Sequence, residues 1–212
     1  MNTQPLFPAL RTQIEALPAL EISHERREAL QPFIAFMVDK VRKGAAIHLN
    51  FICTHNSRRS HLSQIWAQTM AAYWGIPQVY CYSGGTEATA LFPMVASTLQ
   101  QQGFHIHPLS EGDNPVYAVK YGENAPPLVA FSKAYDAPFN PSSSFAAIMT
   151  CSQADEGCPF IPGAEQRIPV RYEDPKLFDG TAEQAAKYLE RSQQIANEMA
   201  YSFQQVAATW KQ

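Results

Sequence analysis

No stretch of the 212-residue sequence approaches the roughly 20 consecutive apolar residues of a membrane-spanning helix, so no membrane is expected as a partner. The first ten residues contain Pro5 and Pro8 and lack a basic segment followed by an apolar core, so no secretory signal is expected. A basic excess is also missing. Lys and Arg number 16 against 19 Asp and Glu, for a formal net charge of −3. Without a basic field, nucleic acid is not an expected partner, and any anion site must be local. Cysteine is scarce: Cys53, Cys81, Cys151 and Cys158 are all there is. Without export, a reducing cytoplasm is the expected compartment. There, four cysteines read as thiols, metal ligands or a redox relay rather than as permanent cross-links. Neither Cys-x-x-Cys nor paired-His spacing occurs around them, so no metal is expected, and no cofactor is called for. Internal repeats and low-complexity segments are absent. What remains is an ordinary globular composition, 46% hydrophobic and 17% charged, long enough for one α/β domain with an extension.

Residues 1–45 read as that extension. Leu6, Leu10, Ile14 and Leu17 recur at helical spacing, and Pro18 closes the run. Ser23 is a candidate N-cap for a second helix with the apolar stripe Leu30, Phe33, Ile34, Met37, Val38 and Val41. Pro32 should kink that helix or delay its start. Lys40, Arg42 and Lys43, followed by Gly44, mark its end. The extension carries no chemistry and reads as a packing or homodimerisation element.

A catalytic domain is expected over 46–212. Residues 46–52 form a short apolar run, read as a buried strand. A helix over 60–74 carries Leu62, Ile65, Trp66, Thr69, Met70 and Tyr73 on one face and ends at Gly75 and Pro77. A second strand is expected over 78–82, a turn at Ser83-Gly84-Gly85, and a helix over 92–102 closed by Gly103. This alternation means βαβ units and a parallel sheet. Residues 116–121 and 127–134 read as an inserted β-hairpin. Then follow a Pro/Ser-rich loop, a buried strand over 145–150, a loop over 151–158, a last strand over 167–172 and a final helix over 181–206. Thr181 is the expected cap of that helix, with Glu183 in its first turn. The fold class is α/β: a three-layer open sheet of mainly parallel strands with flanking helices, plus the N-terminal helical extension and the hairpin.

The chemistry lies in Cys53-Thr54-His55-Asn56-Ser57-Arg58-Arg59-Ser60, between the first strand and the helix after it. A loop entering a helix aims several backbone N–H groups at one point, and the helix dipole adds positive potential. A phosphate-like oxyanion fits there, bound by the loop from Thr54 through His55, Asn56, Ser57 and Arg58 to Arg59. Arg59 can hold two of its oxygens with a planar fork. The same field favours the thiolate of Cys53, the nucleophilic form. Ser60 can hydrogen-bond that thiolate, and Asn56 can brace the loop. A bare Cys-x5-Arg pair is a weak signal; the Ser after it and the strand–loop–helix setting sharpen it.

This segment resembles the phosphate-binding loop of low-molecular-weight protein tyrosine phosphatases and of the thioredoxin-coupled arsenate reductases that share their fold. Those families read Cys-x-Gly-Asn-x-x-Arg-Ser, and Cys53, Asn56, Arg59 and Ser60 match. His55 stands where the family has Gly, which implies a residue forced into backbone angles that Gly takes freely. Arg58 stands where the families often have a second Cys; it adds positive charge beside the site or points to solvent. The resemblance covers roughly residues 46–206 and is poor across 104–144.

The resemblance gives further residues a role. Asp174-Pro175, by itself a turn signal, matches the Asp-Pro that supplies the general acid, which implies that Asp174 protonates the leaving oxygen. Glu173 is the rival carboxylate. Cys151 and Cys158 match the two later cysteines of the reductases, which implies a three-cysteine disulfide relay reset by a thioredoxin-like reductant. Read alone, they are two unrelated thiols or a weak metal site. Ser83 would brace the anion loop, and Cys81 is a core thiol. His105 and His107 alternate as in a short strand and read as surface residues. The leading expectation is an arsenate reductase. The alternative is a low-molecular-weight protein tyrosine phosphatase working through a phosphocysteine. The third is a non-catalytic oxyanion-binding or redox-sensing module that lost turnover through His55.

Overall fold

A computed structural model describes residues 6–17, 21–158 and 160–210. The helix stop expected at Pro18 lies outside them. The chain runs α1 (Pro8–Ala16), α2 (His24–Arg42), β1 (Ile47–Cys53), α3 (Arg59–Trp74), β2 (Val79–Gly85) and α4 (Pro93–Gln101). It continues through β3 (His105–Pro108), β4 (Tyr117–Lys120), β5 (Leu128–Ala130), β6 (Phe145–Met149), α5 (Ser152–Gly157) and β7 (Ala164–Pro169). A 3-10 turn, Pro175–Phe178, leads into α6 (Gln184–Trp210).

Four strands make an open α/β sheet in the order β2-β1-β6-β7, all parallel. Their near-continuous apolar runs follow from burial on both faces. Leu49 and Phe51 share one face by strand alternation. There Phe51 meets the ring of Phe33 from α2, which in turn meets Phe203 from α6. Residues of α1, α2, α3 and α6 join this same core: α2 packs on the sheet and on α6, and α1 packs against α6. On the opposite face Ile52, Ala147 and Met149 form a separate small cluster with Cys53, Cys151, Ala154 and Ile161.

Helix ends follow local chemistry. Ser23 Oγ accepts from Arg26 N at 3.2 Å and starts α2, which runs through Pro32 without a delayed start. Gly75, at φ 68°, closes α3 in the left-handed conformation that favours glycine. The open edge of β2 is blunted by side chains. Gln68 donates to Val79 O and accepts from Cys81 N, and Gln64 donates to Cys81 O. Two glutamines thus occupy the groups that a further strand would need.

Several expected boundaries move. The turn placed at Ser83-Gly84-Gly85 is strand instead, paired with Phe51, Ile52 and Cys53. The glycines serve close approach rather than reversal: a Cβ on Gly84 would lie 2.8 Å from Tyr135 N, and one on Gly85 would lie 2.7 Å from Asn56 N. The inserted hairpin is a three-stranded antiparallel sheet, β3-β4-β5, because His105–Pro108 adds to its edge through the Ile106–Val119 pair. His105 and His107 are exposed in β3, as surface residues. β5 stops at Ala130 because the chain beyond it leaves the hairpin for the main sheet, where Gly85 N donates to Lys133 O. The loop expected over 151–158 holds the short helix α5, capped by Cys151 Sγ accepting from Ala154 N at 3.4 Å. The last strand lies earlier than expected, at Ala164–Pro169, where its backbone pairs with β6. α6 begins at Gln184 rather than at Thr181. Thr181 spends its hydroxyl on Phe178 O and Glu183 N in the preceding turn, so Glu183 precedes the helix.

Replacing Gly84 with Ala should drive a methyl group into the Tyr135 backbone and destabilise the protein by about 1–3 kcal/mol. The check is a lowered urea midpoint at unchanged slope. An unchanged midpoint would mean that the 134–136 segment yields freely.

Candidate active site

Cys53 ends β1, where the chain leaves the sheet and turns into α3. Between them the loop is built by tying its carbonyls outward. Thr54 O accepts from Thr86 Oγ1 at 3.1 Å and from Glu87 N at 2.8 Å. His55 O accepts from Thr89 Oγ1 and Ser132 Oγ, both at 3.0 Å. Ser57 O accepts from Phe92 N at 3.1 Å. Each peptide is planar and trans, so fixing the carbonyls of 54, 55 and 57 points the N–H groups of 55, 56 and 58 the opposite way. Among the described residues none of those N–H groups has a protein acceptor. That is a nest of unpaired donors.

Asn56 makes the bend possible. It is fully buried and takes the left-handed φ of 44°. Its Oδ1 accepts from Lys133 N at 2.9 Å, which turns Nδ2 toward Ser60 Oγ at 2.8 Å. Ser60 Oγ, already accepting that N–H, lies 3.1 Å from Cys53 Sγ with its own proton free to point at sulfur. His55 does not take the glycine-like angles expected of it. Among the described residues the non-glycine positions at positive φ are Asn56, Gln78 and Ser144, so the bend sits one residue later. The His55 ring is partly exposed, with Nε2 3.7 Å from Glu87 Oε2.

The two arginines diverge. Arg59 is buried; Nη1 donates to Tyr172 O at 3.0 Å and Nη2 to Asp174 Oδ2 at 2.6 Å. Its Nε is buried without a protein acceptor. Asp174 Oδ1 accepts from Lys176 N at 3.0 Å, so the carboxylate also caps the Pro175–Phe178 turn. The rival carboxylate, Glu173, faces outward to Arg191 and is 92% exposed. Arg58 does not point to solvent. It stacks on the Phe92 ring at 4.1 Å and donates to Tyr188 Oη at 2.5 Å and to Asp179 Oδ2 at 2.6 Å. Tyr188 Oη donates to Asp179 Oδ1 at 2.6 Å and closes the ring. Burial, then the bond to Asp179, pushes the Tyr188 phenol up, so it stays a donor. Nothing at sequence level links residues 58, 92, 179 and 188, and this ring was not foreseen.

The later cysteines come to the same place. Thr150 N donates to Ile52 O at 2.7 Å, which carries Cys151 to the end of the sheet where Cys53 lies. Thr54 Oγ1 stands 3.5 Å from Cys151 Sγ and donates to Gln153 Oε1 at 3.2 Å. Cys53 and Cys151 are buried, Cys158 is half-buried and packs against their cluster, and all are free thiols. A cleft of about 990 Å³ opens over this edge, walled by His55, Arg59, Cys151, Gln153, Asp174 and Phe178 among others. Cys81 sits elsewhere in β2, where burial pushes its thiol far up, as suits a core residue. Ser83 does not brace the loop: its Oγ lies 3.3 Å from His61 Nδ1. Among the described residues no group of three or more His, Cys, Asp or Glu is arranged to hold a metal ion, and no helix is long and apolar enough to cross a membrane.

No family model matches the chain. It is 25% identical over 142 residues to an arsenate reductase of Bacillus licheniformis, covering 66% of this chain and 83% of that protein. It is also 25% identical over 162 residues to an arsenate reductase of Bacillus subtilis, covering 76% and 95%. A low-molecular-weight phosphotyrosine phosphatase from Vibrio cholerae superposes with a TM-score of 0.51 at 13% identity, over 79% of this chain and 98% of that one, which is a likeness of fold. The chain is thus similar in sequence to arsenate reductases and in fold to a low-molecular-weight phosphatase.

Two buried bases flank the loop. Burial lowers Lys133 to about 8; its Nζ has Phe131 O at 3.2 Å and lies over the Phe131 ring. Burial also lowers His61 to about 3 from 6.5, so the imidazole beneath the loop is neutral. The unfolded chain therefore binds a proton at His61 between pH 6.5 and about 3 that the folded chain refuses. The resulting stability is complete above 6.5 and is lost as pH falls toward 3. Urea midpoints of the wild type and of His61→Gln should converge as pH falls through this window. A gap independent of pH would contradict the buried neutral imidazole.

Proposed function

We propose that the protein is an arsenate reductase in which the loop from Cys53 to Arg59 holds the oxyanion and three cysteines pass the oxidation along. The carrying observation is that Cys53 and Cys151 lie in one small apolar cluster, with Cys158 packed against it, at the edge where the unpaired loop amides lie.

Arsenate oxygens satisfy the loop N–H groups and the orphaned Arg59 Nε, while the Ser60 hydroxyl stabilises the Cys53 thiolate. The thiolate attacks arsenic, and the departing oxygen takes a proton from Asp174, giving water and a Cys53–S–As(V) bond. Cys151 then attacks the Cys53 sulfur. The S–As bond breaks with its electron pair on arsenic, arsenite leaves, and a Cys53–Cys151 disulfide forms. Cys158 attacks Cys151 next, which frees the Cys53 thiolate and leaves a Cys151–Cys158 disulfide. A thioredoxin-like dithiol resets that pair. Four free thiols suit a reducing cytoplasm.

The last exchange demands motion. Cys151 and Cys158 are the N- and C-caps of α5. Seven residues of helix at about 1.5 Å each put them about 10 Å apart. A disulfide needs Cα atoms within about 7 Å, so α5 has to unwind for the pair to close.

A specific observation keeps a phosphatase as the second reading. The cleft of about 990 Å³ is far roomier than one tetrahedral oxyanion needs, and Leu177 and Phe178 give it an apolar wall suited to a phosphorylated side chain. Reduced protein mixed with arsenate for a single turnover, trapped and mapped by mass spectrometry, separates the two. The expected product is one Cys151–Cys158 disulfide per chain. Cys158→Ser should stop at Cys53–Cys151. Multiple turnovers of that variant with thioredoxin would sink the relay. Free thiols throughout, beside rapid hydrolysis of an aryl phosphate, would make the protein a phosphatase.

A further inference from the structure

The element that holds two of the clustered cysteines apart depends on one buried carboxylate. Asp155, in the first turn of α5, is 5% exposed. It is ion-paired with both Arg167 and Arg171. Arg171 Nε donates to its Oδ2 at 2.6 Å. Arg167 reaches the end of the helix as well: Nε donates to Cys158 O at 2.9 Å, and Nη2 to Asp155 O. Two arginines from β7 and the residues after it therefore grip α5 by its one buried charge and by its terminal carbonyls.

A six-residue helix cannot hold itself. Isolated helices shorter than about 12 residues are marginal because the nucleating turn is costly. Apolar anchoring is slight, since Ala154 is the one buried hydrophobic residue within α5. The ion pairs with Arg167 and Arg171 are what keep this turn folded. Arg171 is half exposed on the wall of the cleft, so one side of the grip faces the cleft.

We propose that Asp155, through Arg167 and Arg171, is a positioning residue that latches α5 and sets how readily Cys151 and Cys158 come together, a role that rests on the relay above. While the latch is closed, Cys151 stays buried at the helix start, facing Cys53, and Cys158 stays at the far end. When it opens, α5 unwinds and the two thiols pair. Closing the pair forms one S–S bond and releases two protons and two electrons, which an oxidant must take up.

Diamide, whose N=N bond accepts both, serves as that oxidant in the test. In full-length protein carrying Cys53→Ser, diamide should close the Cys151–Cys158 pair at least about tenfold faster once Asp155→Asn is added. Amide exchange should rise in α5 and not in α6. Equal closure rates in the two proteins would overturn the latch. Should Asp155→Asn fail to fold, Arg171→Gln removes the exposed half alone, and closure about threefold faster is expected; an unchanged rate there overturns the proposal equally. Diamide bypasses both arsenate and Cys53. Faster closure beside a wild type that never reduces arsenate would sink the proposed function and keep the latch. Unchanged closure beside genuine arsenate turnover would do the reverse.

Discussion

The structure depends on where the carbonyls between Cys53 and Arg58 are sent. Thr86, Glu87, Thr89, Phe92 and Ser132 pull those of Thr54, His55 and Ser57 outward, and the opposed N–H groups are left facing one another without acceptors. Unpaired donors are unfavourable when nothing occupies them. They persist because the surroundings over-determine them. Gly84 and Gly85 let the 134–136 segment and the loop press against β2, Lys133 N fixes the Asn56 amide, and that amide fixes Ser60. Residues 132–135 of the inserted region are therefore part of the wall that holds the loop open.

Arg58 and Arg59 extend the same constraint to the segment carrying Asp174. They are adjacent in sequence, yet one takes Asp179 and the other Asp174, at the two ends of the Pro175–Phe178 turn. Two like charges side by side are tolerable because each has its own carboxylate at 2.6 Å. The turn is thereby tied to the junction of loop and helix at both ends. A thiol in place of Arg58 would leave Asp179 and Tyr188 without that partner, so this residue has a mechanical consequence for the site.

The strand–loop–helix order, the parallel sheet and most helix positions were legible in the sequence because each rests on local signals: apolar periodicity, Ser23 as a cap, Gly75 and Gly103 as stops. Cys53, Asn56, Ser60 and Arg59 were legible as a group because they sit within eight residues. What was missed is non-local. Ser83-Gly84-Gly85 has turn composition, yet its glycines answer to Tyr135 and Asn56, fifty residues later and nearly thirty earlier. The α5 segment reads as loop because a six-residue helix held by Arg167 and Arg171 has no periodicity of its own to display. The Arg58 ring joins positions more than a hundred residues apart.

These same differences divide the site into a rigid part and a movable part. The carbonyls of the loop are held by backbone N–H and hydroxyl donors, and its bend by the Asn56 amide, all tied into a buried core. α5 is held mainly by ion pairs, one of them half exposed, and by a single alanine. Oxyanion capture requires donors already in place, because donors that had to be gathered would lose the advantage of preorganisation. Disulfide exchange requires the opposite, since cap residues of a helix cannot meet while the helix stands. A fold that places three thiols at one sheet edge can serve a relay only if the stiff element carries the first thiol and the weakly held element the other two. That is the division seen here: Cys53 ends a strand in the middle of the sheet, and Cys151 and Cys158 bracket a six-residue helix tied down by the ion pairs of Asp155.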